Sequence, residues 1–143
     1  MIRRLTTGLA LAALLAGTAM AETIEVQMLN KGADGERMVF EPAFVRAQPG
    51  DVVKFIAADK GHNAETVKGM VPDGAEAFGG KINEEIEITL ETEGLYGVMC
   101  KPHYAMGMVM TIAVGDVEMP DGFLGGRIPK KAMGRFEDQV GNL

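Results

Sequence analysis

Thr23-Ile24-Glu25-Val26-Gln27-Met28 alternates polar with apolar residues, and Glu85-Ile86-Glu87-Ile88-Thr89-Leu90 does the same. In an extended chain successive side chains point to opposite faces, so a period of two buries one face and wets the other. Shorter runs follow the same logic at Met38-Val39-Phe40, Phe44-Val45, Val52 to Ala58, Gly94 to Met99 and Met108 to Val114. Turn signals at Glu41-Pro42 and Gln48-Pro49-Gly50-Asp51 separate them. Runs this short and this often interrupted restrict the chain to an all-β architecture, an antiparallel Greek-key β-sandwich of about eight strands. The stretches 30–37 and 61–80 are rich in Gly, Asp and Asn and lack periodicity, so both are expected to be surface loops.

The two ends of the chain read differently. Arg3 and Arg4 precede an apolar run from Leu9 to Ala16, and Thr18-Ala19-Met20-Ala21 supplies small residues ahead of a cleavage point, the pattern of a signal peptide over residues 1–21. The apolar run is shorter than the roughly 20 residues of a spanning helix, and no later stretch is longer, so the mature protein is expected to be exported and not inserted in a membrane. Residues 22–116 form the sandwich. Residues 117–143 are expected to form a C-terminal helical extension packed on it: Pro129 suits a first helical position, Met133, Phe136 and Val140 fall on one face, and Gly141 suits the end. Asp121-Gly122-Phe123-Leu124-Gly125-Gly126 has too many glycines for an isolated helix.

Charge and cysteine usage narrow the chemistry. The chain carries 14 basic and 20 acidic residues, a formal net charge of −6, and loss of Arg3 and Arg4 with the leader makes it −8. That balance disfavours a nucleic-acid partner. The single cysteine, Cys100, excludes an intrachain disulfide, and an unpaired thiol in an exported protein calls for a reason.

Cys100-Lys101-Pro102-His103 sets a thiol and an imidazole in one interstrand loop, Met106, Met108 and Met110 follow, and His62 is the other histidine of the chain. A thiolate, two imidazoles and a weak thioether suit copper, because soft sulfur favours Cu(I) while imidazole tolerates both oxidation states. Taken singly, a histidine, a cysteine or a methionine on a strand face reads better as core. Taken together, every cysteine and histidine of the chain at one spacing favours a metal site. A Cys-His nucleophile would need a substrate cleft and a third, orienting group, which a closed four-ligand site does not offer. Zinc accepts a His/His/Cys set, but a thioether is a poor zinc ligand. A copper chaperone or storage protein is the remaining alternative, if Met99, Met106, Met108 and Met110 form an exposed Cu(I)-binding surface.

Gly61-His62-Asn63 and the run Tyr96-Gly97-Val98-Met99-Cys100-Lys101-Pro102-His103-Tyr104-Ala105-Met106-Gly107-Met108 resemble the copper loops of the pseudoazurins, a cupredoxin family. The resemblance extends from Ile24 to Asp116 and takes in Met28-Leu29-Asn30-Lys31-Gly32 and Met38-Val39-Phe40-Glu41-Pro42. It weakens in the tail, where pseudoazurins typically carry two helices and this chain has the glycine-rich stretch.

The resemblance implies a cupredoxin-like sandwich holding one copper ion on His62, Cys100 and His103, with Met108, rather than Met106 or Met110, as the long axial ligand. It makes Asn63 a brace between the ligand loops that also offers its backbone N–H to the cysteine sulfur, and it sets Met38 near the His103 ring. Pro102, lacking an N–H, withholds a donor from that sulfur. It further implies a periplasmic, monomeric one-electron shuttle that accepts electrons from a c-type cytochrome. Its acceptor would be a copper nitrite reductase or another terminal reductase of denitrification. Docking is expected around the His103 ring edge, through Pro102, Tyr104, Ala105 and Met106, with Lys31, Lys60 and Lys101 steering an acidic partner despite the acidic total charge.

Overall fold

The computed structural model describes residues 20–143, so the expected leader lies outside the described residues apart from Met20 and Ala21. Eight strands and one helix follow in order: β1 (Thr23–Lys31), β2 (Arg37–Glu41), β3 (Phe44–Ala47), β4 (Asp51–Ile56), β5 (Glu65–Thr66), β6 (Ile86–Leu90), β7 (Gly94–Met99), β8 (Val109–Val114) and α1 (Lys130–Val140). A 3₁₀ segment, Lys101–Met106, joins β7 to β8. One sheet is ordered β2-β1-β4-β6 and the other β3-β8-β7-β5.

The strand β3 leaves the sheet of its sequence neighbours and pairs with β8. That crossing brings β4 back beside β1 in the same direction, so β1·β4 and β3·β8 are parallel while the other pairings are antiparallel. The sandwich expected from period-two runs is therefore mixed: alternation reports which face is buried and carries no information on the direction of the neighbouring strand.

Between the sheets, Val26, Met28, Phe40, Val53, Phe55 and Leu90 from one side meet Val45, Tyr96, Val98, Met110, Ile112 and Val114 from the other. The Phe40 and Phe55 rings pack edge to face with centroids 6.0 Å apart, a favoured aromatic geometry. β8 is buried along its whole length because its second face is also covered: Val109 and Ala113 join Leu95, Phe123, Ala132 and Phe136 in a second core between the sheet and the tail. Residues 121–124 form turns rather than a helix, with Phe123 reaching into this second core.

Helix α1 covers the sheet with Ala132, Phe136 and Gln139, whereas Met133 and Val140 are half-buried. The expected apolar face is thus rotated toward a polar residue. Gln139 is tolerated inside because its amide donates to Val109 O (3.0 Å) and accepts from Thr111 Oγ1 (2.9 Å), which satisfies an otherwise costly buried group.

The stretch 61–80 is only partly a surface loop. It contributes β5 and buries His62, Asn63, Ala64, Val67 and Met70. It crosses over β7, with Val67 N–H donating to Gly97 O and Gly97 N–H donating to Met70 O, both at 2.8 Å. A Cβ at Gly97 would stand 2.9 Å from Met70 Cβ, too close for a neighbour tied to the backbone, so glycine admits this crossing.

Candidate metal centre

Three sequence-distant segments meet at one end of the sandwich: the end of β1, the turn after β4, and the end of β7 with the 3₁₀ loop that follows it. His62 is held there by its own backbone, since its carbonyl accepts from Asn83 N–H (2.8 Å) and the neighbouring Gly61 N–H donates to Asn83 Oδ1 (2.7 Å). Cys100 is held by a bond from its N–H to Met108 O (3.0 Å), and His103 O accepts from Met108 N–H (3.1 Å). The loop therefore closes on itself, bringing Cys100, His103 and Met108 together at its neck.

The three strong candidate ligand atoms form a small triangle. His62 Nδ1 and His103 Nδ1 are 3.1 Å apart, and Cys100 Sγ lies 3.7 Å from the first and 3.6 Å from the second. Ligand atoms each about 2.0–2.3 Å from one ion stand about 3–4 Å from one another, so these edges fit a single metal ion. His62 Nε2 faces Asn30 Oδ1 at 2.8 Å. An amide oxygen only accepts, so Nε2 carries the hydrogen and Nδ1 presents its lone pair to the triangle. Met108 is fully buried beside Cys100 in the main core, whereas Met106 is exposed (44%) and Met110 packs inside β8.

Electrostatics prepare the same point for a cation. Burial pushes the Cys100 thiol up in pKa, with the backbone N–H groups of Asn63 and His103 acting the other way. Burial also holds His62 below its usual range, with His103 acting the same way and Asp59 opposing. A neutral His62 beside a thiol that ionises reluctantly is a site completed by a metal ion, which displaces the thiol proton and takes the imidazole lone pairs.

Asn63 joins the two ligand loops: its Oδ1 accepts from Lys101 N–H (2.7 Å) and its Nδ2 donates to Gly80 O (3.1 Å). Met38 is half-buried against the main core, in a left-handed backbone conformation at φ 53°. His62 is fully buried, whereas His103 is partly exposed. Around it Lys101, Pro102, Ala105 and Met106 are exposed, as are Lys31 and Lys60 on the neighbouring loops. Tyr104, next to His103, is half-buried: it packs against the second core, and its hydroxyl is enclosed without a hydrogen-bond partner.

Asn30 is the residue that sequence reasoning missed. It falls at the end of an alternating strand and is exposed, with nothing local to separate it from an ordinary loop asparagine. Only the pairing of β1 with β4 sets it opposite His62.

No helix of the described residues is long and apolar enough to cross a membrane. The profile of the plastocyanin/azurin family of copper-binding proteins matches residues 26–115. A pseudoazurin of Paracoccus pantotrophus is 50% identical over 130 residues, covering 90% of this chain and 89% of the relative. The crystal structure of pseudoazurin from Methylobacterium extorquens AM1 superposes with a TM-score of 0.77 at 41% identity, covering 84% of this chain and 98% of that one. Native pseudoazurin from Hyphomicrobium denitrificans gives 0.76 at 36% identity, covering 85% and 98%.

Proposed function

As this chain belongs to the plastocyanin/azurin family of copper-binding proteins, and within it to the pseudoazurins, we propose that His62, Cys100 and His103 bind its copper with Met108 as axial ligand. The chain is a copper electron carrier and not an enzyme. Bound there, copper supplies one-electron chemistry by alternating between Cu(I) and Cu(II). The observation that carries the reading is the triangle of His62 Nδ1, Cys100 Sγ and His103 Nδ1, closed on edges of 3.1 to 3.7 Å with one imidazole buried and the other reaching the surface.

The residues divide the work. His62, bonded to Asn30 and enclosed, holds its place through turnover. Asn63 ties Lys101 to its own loop, so the thiol and the buried imidazole move as one body. His103 offers its ring edge to a docked partner, giving a short path to the metal. Pro102, Ala105 and Met106 make an apolar surface around it, and Tyr104 supports that surface from beneath. Lys31, Lys60 and Lys101 steer an acidic redox protein onto it. The encounter is transient and the carrier acts as a monomer, as suits turnover.

The carrier works in the periplasm after removal of residues 1–21, with residues 22–116 as the sandwich and 117–143 as its packed extension. It takes electrons from a c-type cytochrome and donates to a copper nitrite reductase or another terminal reductase of denitrification. A chaperone or storage role would favour accessible ligands, whereas His62, Cys100 and Met108 are fully buried. Adding Cu(II) to the metal-free protein should produce an intense visible sulfur-to-copper band that Cys100→Ala abolishes while the sandwich stays folded. A colourless Cu(II) complex of the wild type would end the electron-carrier reading of this site.

A further inference from the structure

Met108 sits between two residues whose carbonyls are both held by helix α1. Arg135 Nη1 donates to Gly107 O at 2.8 Å, and Gln139 Nε2 donates to Val109 O at 3.0 Å. Residues four apart on a helix are neighbours on one face, so a single stripe of α1 grips both flanks of one residue. Contact at the first grip is close: Gly107 has φ 88°, and a Cβ there would stand 2.8 Å from Lys131 Cγ and 3.3 Å from Arg135 Cδ. A side chain at this left-handed position would be strained and would crowd Lys131 and Arg135.

The same guanidinium reaches a third segment. Nη1 also donates to Met38 O (2.6 Å), and Nη2 donates to Arg37 O (2.8 Å) and pairs with Glu36 (3.2 Å). The Arg135 side chain is only 17% exposed. Hydrogen bonds from a charged donor in such a shielded position are stronger than neutral ones, and a lysine ammonium cannot reproduce the fork.

Covering the sheet does not require these groups. Ala132 and Phe136 supply the apolar face of α1, while burying an amide and most of a guanidinium costs desolvation that only well-placed partners offset. Among those partners are the two carbonyls that flank Met108, Gly107 O and Val109 O.

We propose that Arg135 and Gln139 are positioning residues of the copper centre, which hold Met108 by its two flanking carbonyls and so set the axial thioether from outside the sandwich. The proposal rests on the reading of Met108 as axial ligand. The potential of such a copper site is tuned by its thioether ligand, so loosening the grip shifts the reduction potential.

Arg135→Lys and Gln139→Met keep volume and helix propensity while removing the fork and the amide. In metal-free protein, amide hydrogen exchange at Met108 and Val109 should accelerate by about tenfold in each variant, the loss of roughly one hydrogen bond, with amides of β1 and β4 unchanged. In the Cu(II) proteins the relative intensities of the sulfur-to-copper bands should change and the potential should shift from the wild-type value. Glu137→Gln, on the exposed side of the same helix, should leave all of these at their wild-type values. Unchanged exchange at Met108 overturns the proposal, and so does altered exchange with the spectrum and potential of the wild type, since α1 would then only cover the sheet. If the wild type itself gave no coloured Cu(II) complex, the copper reading would fail separately, and exchange in metal-free protein would still decide whether α1 holds this loop.

Discussion

The two ends of the sandwich handle buried polar groups in opposite ways. At the end where β4 begins, the buried Asp51 carboxylate accepts Gln48 N–H at 2.8 Å and Glu22 N–H at 2.9 Å, so its acceptors serve the chain's own backbone. At the other end His62, Cys100 and His103 turn their ligand atoms toward one another. A carboxylate with backbone donors is complete without a ligand and stabilises the fold. Two imidazoles and a thiol face to face are incomplete without a cation, and the fold holds them there through Asn30, Asn63 and Asn83.

The largest expected effect sharpens the contrast within the metal end. His62→Gly removes a fully buried ligand, and added imidazole should not restore the coloured complex. His103→Gly removes a partly exposed one, and millimolar imidazole should restore most of the visible band. Equal rescue of both variants in a spectroscopic titration would break the assignment of His103 as the surface ligand.

Asp51→Ala tests the other end. Losing the acceptor of two backbone N–H groups should lower the stability of the metal-free protein by about 1–3 kcal/mol, read by urea unfolding, while the reduction potential of the copper protein stays at its wild-type value. The N–H donors of Gln48 and Glu22 hold the Asp51 carboxyl below its ordinary pKa. A depressed carboxyl contributes stability that is fully present above its unfolded value of about 3.9 and is lost as pH falls through the lower folded one. Metal-free wild type should therefore lose stability below about pH 4 more steeply than Asp51→Ala. Parallel pH profiles for the two would remove Asp51 as a source of acid sensitivity.

Pro102→Ala gives the copper loop an N–H that proline lacks, two residues after Cys100. A further donor withdraws charge from the thiolate and favours Cu(I), so voltammetry should record a higher potential, by something on the order of 59 mV, a tenfold change for one electron. An unchanged or lowered potential would count against a donor gained by the sulfur.

The smallest effects belong to the surface. Lys31→Glu, Lys60→Glu and Lys101→Glu should each slow electron transfer to an acidic partner several-fold, and the wild-type rate should fall as salt rises and screens the patch. A salt-independent wild-type rate in stopped-flow measurements would dismiss the lysines as a docking feature.

Period-two alternation in 23–28 and 85–90 was enough to identify half-buried strands, and the one cysteine with two histidines was enough to name the metal ligands' types. These are local properties, written in the spacing of side chains along an extended chain. The direction of β4 beside β1, the burial of the 61–80 stretch and the rotation of α1 toward Gln139 were not legible, because each depends on what covers a face from elsewhere in the chain. Asn30 and Arg135 illustrate the same limit: an exposed asparagine and a helical arginine have no local mark of a role at the copper end. Sequence by itself determined the fold class and the chemistry of the donor set. Tertiary structure alone decided which groups aim and hold those donors, since a hydrogen bond between residues 30 and 62, or 135 and 107, exists only once the sheets and helix have packed.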